Sequence, residues 1–176
     1  MGEEGIQVNG TLLAAAIATV GLTAQLGTTA LAVASEGNWG INGTYAATSN
    51  GDWAKTNERY KDEATVRSIW TISTTCISPV QCTGTVASDL GWNANLYTTT
   101  GLWYLKRTVE NWEPCQDGTA ADAVQIFRFY PVDGDGTTKA DSTMYAGEDI
   151  TTGPSGACGK NLSLVIRMPF RLEKIT

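Results

Sequence analysis

Apolar positions recur at every second residue along much of the chain, in short runs separated by turn residues. The last run is the clearest. Ile166, Met168, Phe170 and Leu172 fall on one face of an extended strand, with Arg167, Arg171 and Glu173 on the other. The segment from Val66 to Thr75 alternates in the same way: Val66, Ser68, Trp70, Ile72 and Thr74 share a face opposite Arg67, Ile69, Thr71 and Ser73. Val124 to Tyr130 is apolar and aromatic apart from Gln125 and Arg128. Shorter strand-like runs cover Gly43 to Thr48, Cys82 to Ala87, Trp92 to Thr99, Leu102 to Arg107 and Ser142 to Tyr145. Turn chemistry falls between the runs, at Asn50-Gly51, Gly101, Asp117-Gly118, Asp133-Gly134-Asp135-Gly136 and Gly153-Pro154-Ser155-Gly156. The charged stretch from Asp52 to Ala64 is expected as a short helix or a lid-like loop. No window carries a helical period. About eight short strands at even spacing predict an all-β domain, an antiparallel barrel or sandwich, with the up-and-down barrel favoured.

The N-terminal segment breaks this pattern. Residues 11–34 form an uncharged, small-residue stretch ending in Ala32-Val33-Ala34, the small-x-small arrangement that a signal peptidase requires. A cut after Ala34 would leave a single β domain over residues 35–176. The segment opens Met1-Gly2-Glu3-Glu4, however, where a signal peptide should carry positive charge. A basic stretch upstream of the recorded start is one account, and an uncleaved anchor is the other. Its Ala, Gly and Thr content makes it a weak permanent span, so no stable membrane span is expected in the mature chain. No cysteine lies near the cut, so lipid modification is not indicated.

Composition narrows the chemistry. The chain of 176 residues carries 12 Lys and Arg against 18 Asp and Glu, a net charge of −6. That balance provides neither the basic footprint of a nucleic-acid binder nor a polybasic attraction to anionic lipid. There is no histidine, which removes Ser-His-Asp and Cys-His catalysis together with the commonest zinc ligand. Any catalysis would rest on carboxylates, Lys, Tyr or Ser/Thr.

The four cysteines are Cys76, Cys82, Cys115 and Cys158. An even count in an exported chain reads as two disulfides. Three pairings are possible. Cys76–Cys82 with Cys115–Cys158 is favoured, because Ser78-Pro79 between the first two favours a hairpin turn. A metal site is disfavoured, since no C-x2-C pair occurs.

The order of motifs also carries a resemblance. Trp70-Thr71-Ile72 precedes Cys76 and Cys82; Gly101-Leu102-Trp103 follows; then come Cys115-Gln116-Asp117-Gly118, Cys158-Gly159 and Pro169-Phe170-Arg171-Leu172. This resembles small secreted proteins of mycobacteria of unassigned function, which share a W-x-(I/V) block with two cysteines, G-x-W, C-x-D-G, and C-G followed by P-F-x-L. The likeness spans most of residues 43–174. It departs at Thr74-Thr75-Cys76, where the pattern has Pro-Cys-Gly. It implies secretion across a bacterial envelope and pairing of both cysteine sets, and no reaction.

Six tryptophans stand out. Trp53, Trp70, Trp103 and Trp112 are the candidate ligand-binding residues, as the lining of an aromatic cavity for a small apolar or sugar-like molecule. Core packing is the competing account for Trp70 and Trp103, and exposure is expected of Trp53 and Trp112. Asp133-Gly134-Asp135-Gly136 with Asp141 looks faintly like a calcium loop, but Thr138 and Met144 stand where a Gly and a Glu are needed. Asp62, Glu63, Glu110 and Glu113 show no spacing that pairs two carboxylates across a cleft. No catalytic residue, metal or cofactor is assigned. The reading is therefore a secreted or envelope-associated, non-catalytic binding module for an unknown small ligand or envelope component, without nucleic acid. The alternatives are a structural, antigen-like envelope protein acting by protein contact, and a histidine-free carboxylate glycan hydrolase. An interior filled by Trp70, Trp103, Ile126, Ile166 and Phe170 would favour protein contact.

Overall fold

The strands form where the apolar alternation places them, and a computed structural model describes their arrangement over residues 39–175. The leader and its cut after Ala34 lie outside the described residues. In chain order the strands are β1 (Gly43–Ser49), β2 (Lys55–Thr56), β3 (Arg59–Tyr60), β4 (Val66–Ser78), β5 (Gln81–Ser88), β6 (Asn93–Thr99), β7 (Leu102–Pro114), β8 (Ala120–Val132), β9 (Met144–Thr152) and β10 (Val165–Lys174). All pairings are antiparallel. With the small β2–β3 hairpin set aside, each strand pairs with the next, and β10 returns to β1 through registers from Tyr45↔Lys174 to Ser49↔Phe170. The result is the expected closed, up-and-down barrel of eight strands, which removes the free edges of an open sheet.

Closure requires strong coiling, and glycine supplies it at two inward-facing positions. A Cβ on Gly84 would lie 2.1 Å from the Ser73 carbonyl oxygen, and one on Gly147 would lie 2.0 Å from that of Arg128. Neighbouring backbones approach where a side chain would otherwise stand, as at the bends of small barrels.

The interior is packed. Trp70 is 1% exposed and meets Phe127 edge-on at 5.0 Å, Trp92 edge-on at 5.3 Å and the stacked ring of Phe170 at 5.2 Å. Leu96, Leu105, Phe129 and Leu172 fill the space around them. Burying each such side chain is worth about 1.5–3 kcal/mol, and a barrel of this strand number is just wide enough for side chains to fill it. Ile126, a candidate for this interior, instead lies between the inward Gln125 and Phe127 and faces outward; strand alternation forces the assignment.

Two segments differ from expectation. Asp52–Ala64 forms no lid, and the helix at its start is short. A single 3-10 turn at Gly51–Trp53 leads into the β2–β3 hairpin, and β2 continues along β10 where β1 leaves off, through Arg167↔Lys55 and Ile166↔Thr56. The strand expected at Ser142 to Tyr145 is the start of the longer β9. The wall is also uneven between β6 and β7. Their ladder runs only from Leu102↔Thr99 to Leu105↔Leu96, although β7 continues for nine more residues.

Both disulfides form with the favoured pairing. Cys76–Cys82 bridges residues opposite each other in the β4–β5 ladder. Cys115–Cys158 ties the β7–β8 turn to the β9–β10 loop.

Candidate functional site

An up-and-down barrel has two mouths, fringed by alternate loops. One mouth of this barrel carries the β4–β5, β6–β7 and β8–β9 connections together with residues 39–42, and holds a recess of about 260 Å³. Its wall is aromatic because inward positions near the ends of three strands are ring side chains. Tyr45 (β1), Trp103 (β7) and Tyr145 (β9) are 2%, 5% and 7% exposed, and Trp39 stands half-open at the rim. The two tyrosines meet edge-on at 6.2 Å, and Phe129 packs beneath Tyr145 at 6.0 Å. The Tyr45 hydroxyl donates to the Asn42 carbonyl at 3.4 Å. Burial pushes both phenols upward from their ordinary range, and for Tyr145 the neighbouring Tyr45 adds to the shift. Both therefore remain neutral hydroxyls at physiological pH.

The rim is polar. The Ser142 hydroxyl donates to the Val132 carbonyl and accepts from the Met144 amide, which fixes the end of the β8–β9 loop. Asp141 and Lys174 supply opposite charges to the same recess. An aromatic floor with a few placed polar groups is the composition of a small-molecule site, although this one is shallow because the packed core closes it from below.

The opposite end of the interior is also unusual. Its inward positions are Ser49 (β1), Arg107 (β7), Gln125 (β8) and Asp149 (β9), and they form one chain. Ser49 Oγ donates to Asp149 Oδ2 at 2.7 Å, and Gln125 Nε2 donates to Asp149 Oδ1 at 2.8 Å and Oδ2 at 2.9 Å. Arg107 Nε donates to Gln125 Oε1 at 2.7 Å. The Arg107 guanidinium lies 4.6 Å over the Trp92 ring, a cation–π contact that closes this end. Asp149 is 1% exposed. Burial raises its carboxyl from the ordinary range, against the opposing pull of Ser49, Gln125 and the more distant Arg107. The void beside it is about 30 Å³, room for one water. Alternation in β9 broke down in sequence at Gly147-Glu148-Asp149 because this polar layer, not an apolar one, faces inward. Gln125, a polar residue on the inward register of the apolar strand β8, was the available signal.

The four candidate tryptophans occupy four different places. Trp103 forms part of the mouth recess. Trp70 is at the centre of the core. Trp53 is 64% exposed beside the β2–β3 hairpin, and Trp112 is half-buried on the extended part of β7, against Gly153. Trp39, one of the six tryptophans, stands at the rim of the recess; Tyr45 and Tyr145 also line it and were not singled out in sequence, since a tyrosine on an alternating strand reads as core. Of the carboxylates, Glu113 is buried and ion-paired to Lys160 at 3.4 Å, whereas Glu110 is exposed. Asp133 caps its own turn, accepting from the amides of Asp135 at 3.0 Å and Thr137 at 2.9 Å.

No family model and no curated protein sequence matches the chain. Among solved structures, it is similar to the monomer form of the PknI sensor domain of M. tuberculosis. That match has a TM-score of 0.54 and 16% identity, and covers 76% of this chain and 86% of that one. At this identity the likeness is one of fold.

Proposed function

We propose that this chain is an exported, non-catalytic binding module of a bacterial envelope that seats a small ligand in the aromatic mouth recess. The observation that carries the reading is the convergence of Trp39, Tyr45, Trp103 and Tyr145 on one open recess above a filled core. Several features support the setting. Two disulfides are at home in an oxidising compartment. The fold is similar to that of a mycobacterial sensor domain. The motif resemblance to secreted mycobacterial proteins points the same way. The absence of histidine from the chain leaves the tyrosine hydroxyls without the commonest general base. Native mass spectrometry of protein purified from its own host tests the reading. Extra mass that disappears in Trp39→Ala is expected, while clean apo protein from the wild type would overturn it.

A second reading, contact with a protein partner, is favoured by the packed interior around Trp70 and Phe170 and by one surface feature. Beside Pro79 at the recess, the β4–β5 turn displays Ile77 and Val80, 74% and 61% exposed. Cross-linking at an engineered turn residue separates the two, since a small-ligand module yields no covalent adduct with protein.

A further inference from the structure

The β2–β3 hairpin contributes nothing to the closure of the barrel. It is nevertheless held firmly: the Asn57 amide donates to the Val165 carbonyl at 2.8 Å, and the Val165 amide donates to Asn57 Oδ1 at 2.9 Å. The hairpin and the 3-10 turn before it present two large rings to water, Tyr60 at 72% exposure and Trp53 at 64%. Apolar ring area left in water on a rigid support is unfavourable for the isolated chain and favourable for whatever covers it.

Between these rings and the outer wall of β9 and β10 runs an open groove of about 490 Å³, whose floor includes Gly147 and Pro169. Its charged residues are Lys55, Arg167, Glu58 and Glu148, two of each sign. Arg167 bridges the two carboxylates, whereas Lys55 faces a ring. Arg167 Nε binds Glu58 Oε1 at 3.0 Å and its Nη1 approaches Glu148 Oε2 at 4.0 Å; Arg128 also binds Glu148, and Lys55 Nζ sits 4.8 Å over the Tyr60 ring. The four lining charges sum to zero, so they offer no net Coulombic attraction to a phosphate or a polyanion. They do offer planar, pre-oriented donors and acceptors beside flat aromatic faces. Neutral hydroxyl-rich rings match that chemistry: the apolar face of a sugar covers an indole or phenol while its hydroxyls bridge guanidinium and carboxylate.

From this geometry we infer that the outer groove is a second binding site, separate from the mouth recess, for a neutral oligosaccharide stacked on Trp53 and Tyr60. Arg167, Glu58 and Glu148 orient its hydroxyls. The site does not depend on the mouth recess being occupied.

The full chain tests this on an array of neutral and anionic oligosaccharides and extended peptides, followed by titration of Trp fluorescence with the best neutral hit. Binding of a neutral glycan is expected, with affinity unchanged between about 50 mM and about 500 mM salt because no net charge is neutralised. Trp53→Ala and Tyr60→Ala should each weaken it at least about tenfold without moving thermal unfolding, since both side chains are exposed. Trp39→Ala should leave it intact, which separates this site from the recess. Binding only of anionic glycans or peptides, no binding at all, or equal binding by wild type and Trp53→Ala would each overturn the proposal.

Discussion

The hydroxyl of Ser49 and the carboxylate of Asp149 lie 2.7 Å apart inside the barrel, although one hundred residues separate them along the chain. Their strands do not pair directly with each other; β10 lies between them. The bond therefore crosses the interior and pins one end of the tube, and its removal should be costly. Asp149→Ala leaves the Ser49 hydroxyl and the Gln125 amide without their acceptor, at about 1–3 kcal/mol for each buried group left unmade. Urea unfolding should show that loss with little change in slope.

The same residue gives stability a pH dependence of defined sign. Burial raises the carboxyl of Asp149 in the folded state above its unfolded value. Its contribution is therefore fully present below the unfolded value and is lost as pH rises through the folded one. Against Asp149→Asn, which cannot titrate, the wild type should lose relative stability on going upward from about pH 4 and then level off. Chemical denaturation at a series of pH values checks this. A relative gain with rising pH would mean that Ser49 and Gln125 hold the carboxylate ionised despite its burial.

Trp70 and Trp39 should separate stability from capture. Trp70 touches Trp92, Phe127 and Phe170, so Trp70→Ala opens a cavity and should cost about 3–5 kcal/mol. Trp39 stands at the rim, 38% exposed, and its replacement by Ala should fall within about 0.5 kcal/mol while altering ligand retention. Differential scanning calorimetry beside native mass spectrometry reads both.

The two disulfides should contribute unequally. The chain-entropy model gives about 4 kcal/mol for the bridge closing 43 residues and about 2 kcal/mol for that closing 6. Cys115→Ala with Cys158→Ala should lower the melting temperature more than Cys76→Ala with Cys82→Ala. Cys82 is also a core residue, 2% exposed, so loss of packing will narrow the gap.

Gly84→Ala and Gly147→Ala test how the barrel bends. The added methyl would meet backbone oxygen in each case, at 2.1 Å and 2.0 Å, and backbone cannot rotate away as a side chain can. Each should cost at least about 1–3 kcal/mol by overpacking, measured by denaturant midpoint.

The barrel was legible in sequence because most of its strands alternate cleanly, and the sequential pairing of β4 to β10 follows from turns such as Gly101 and Asp133-Gly134. The hairpin at β2–β3 was not legible. Its turn places Asn57 and Glu58 at φ of 48° and 65°, the conformation of a two-residue hairpin loop, but Glu stands where Gly ordinarily signals one. The second half of β9 was missed for a different reason: Gly147, Asp149 and Thr151 all face inward, and none is a large apolar residue. The site was legible only at Trp103. Tyr45 and Tyr145 lie on strands far apart in sequence, and only ring closure brings them to one mouth.

The early end of the β6–β7 ladder at Leu96↔Leu105 has a consequence for how the molecule comes apart. Elsewhere in the wall, separating neighbouring strands means breaking a longer row of bonds, whereas between β6 and β7 only four register pairs hold the tube shut. A closed ring loses its cooperativity once it is cut, so this seam sets where it opens. The amide protons of Leu96–Thr99 and Leu102–Leu105 that bond across this seam should exchange with solvent before those of the β8–β9 wall, through local opening that leaves the rest intact. Opened along that line, the barrel becomes one curved sheet running from β7 through β10 and β1 to β6, with Cys115–Cys158 holding together the strands on one side of the tear.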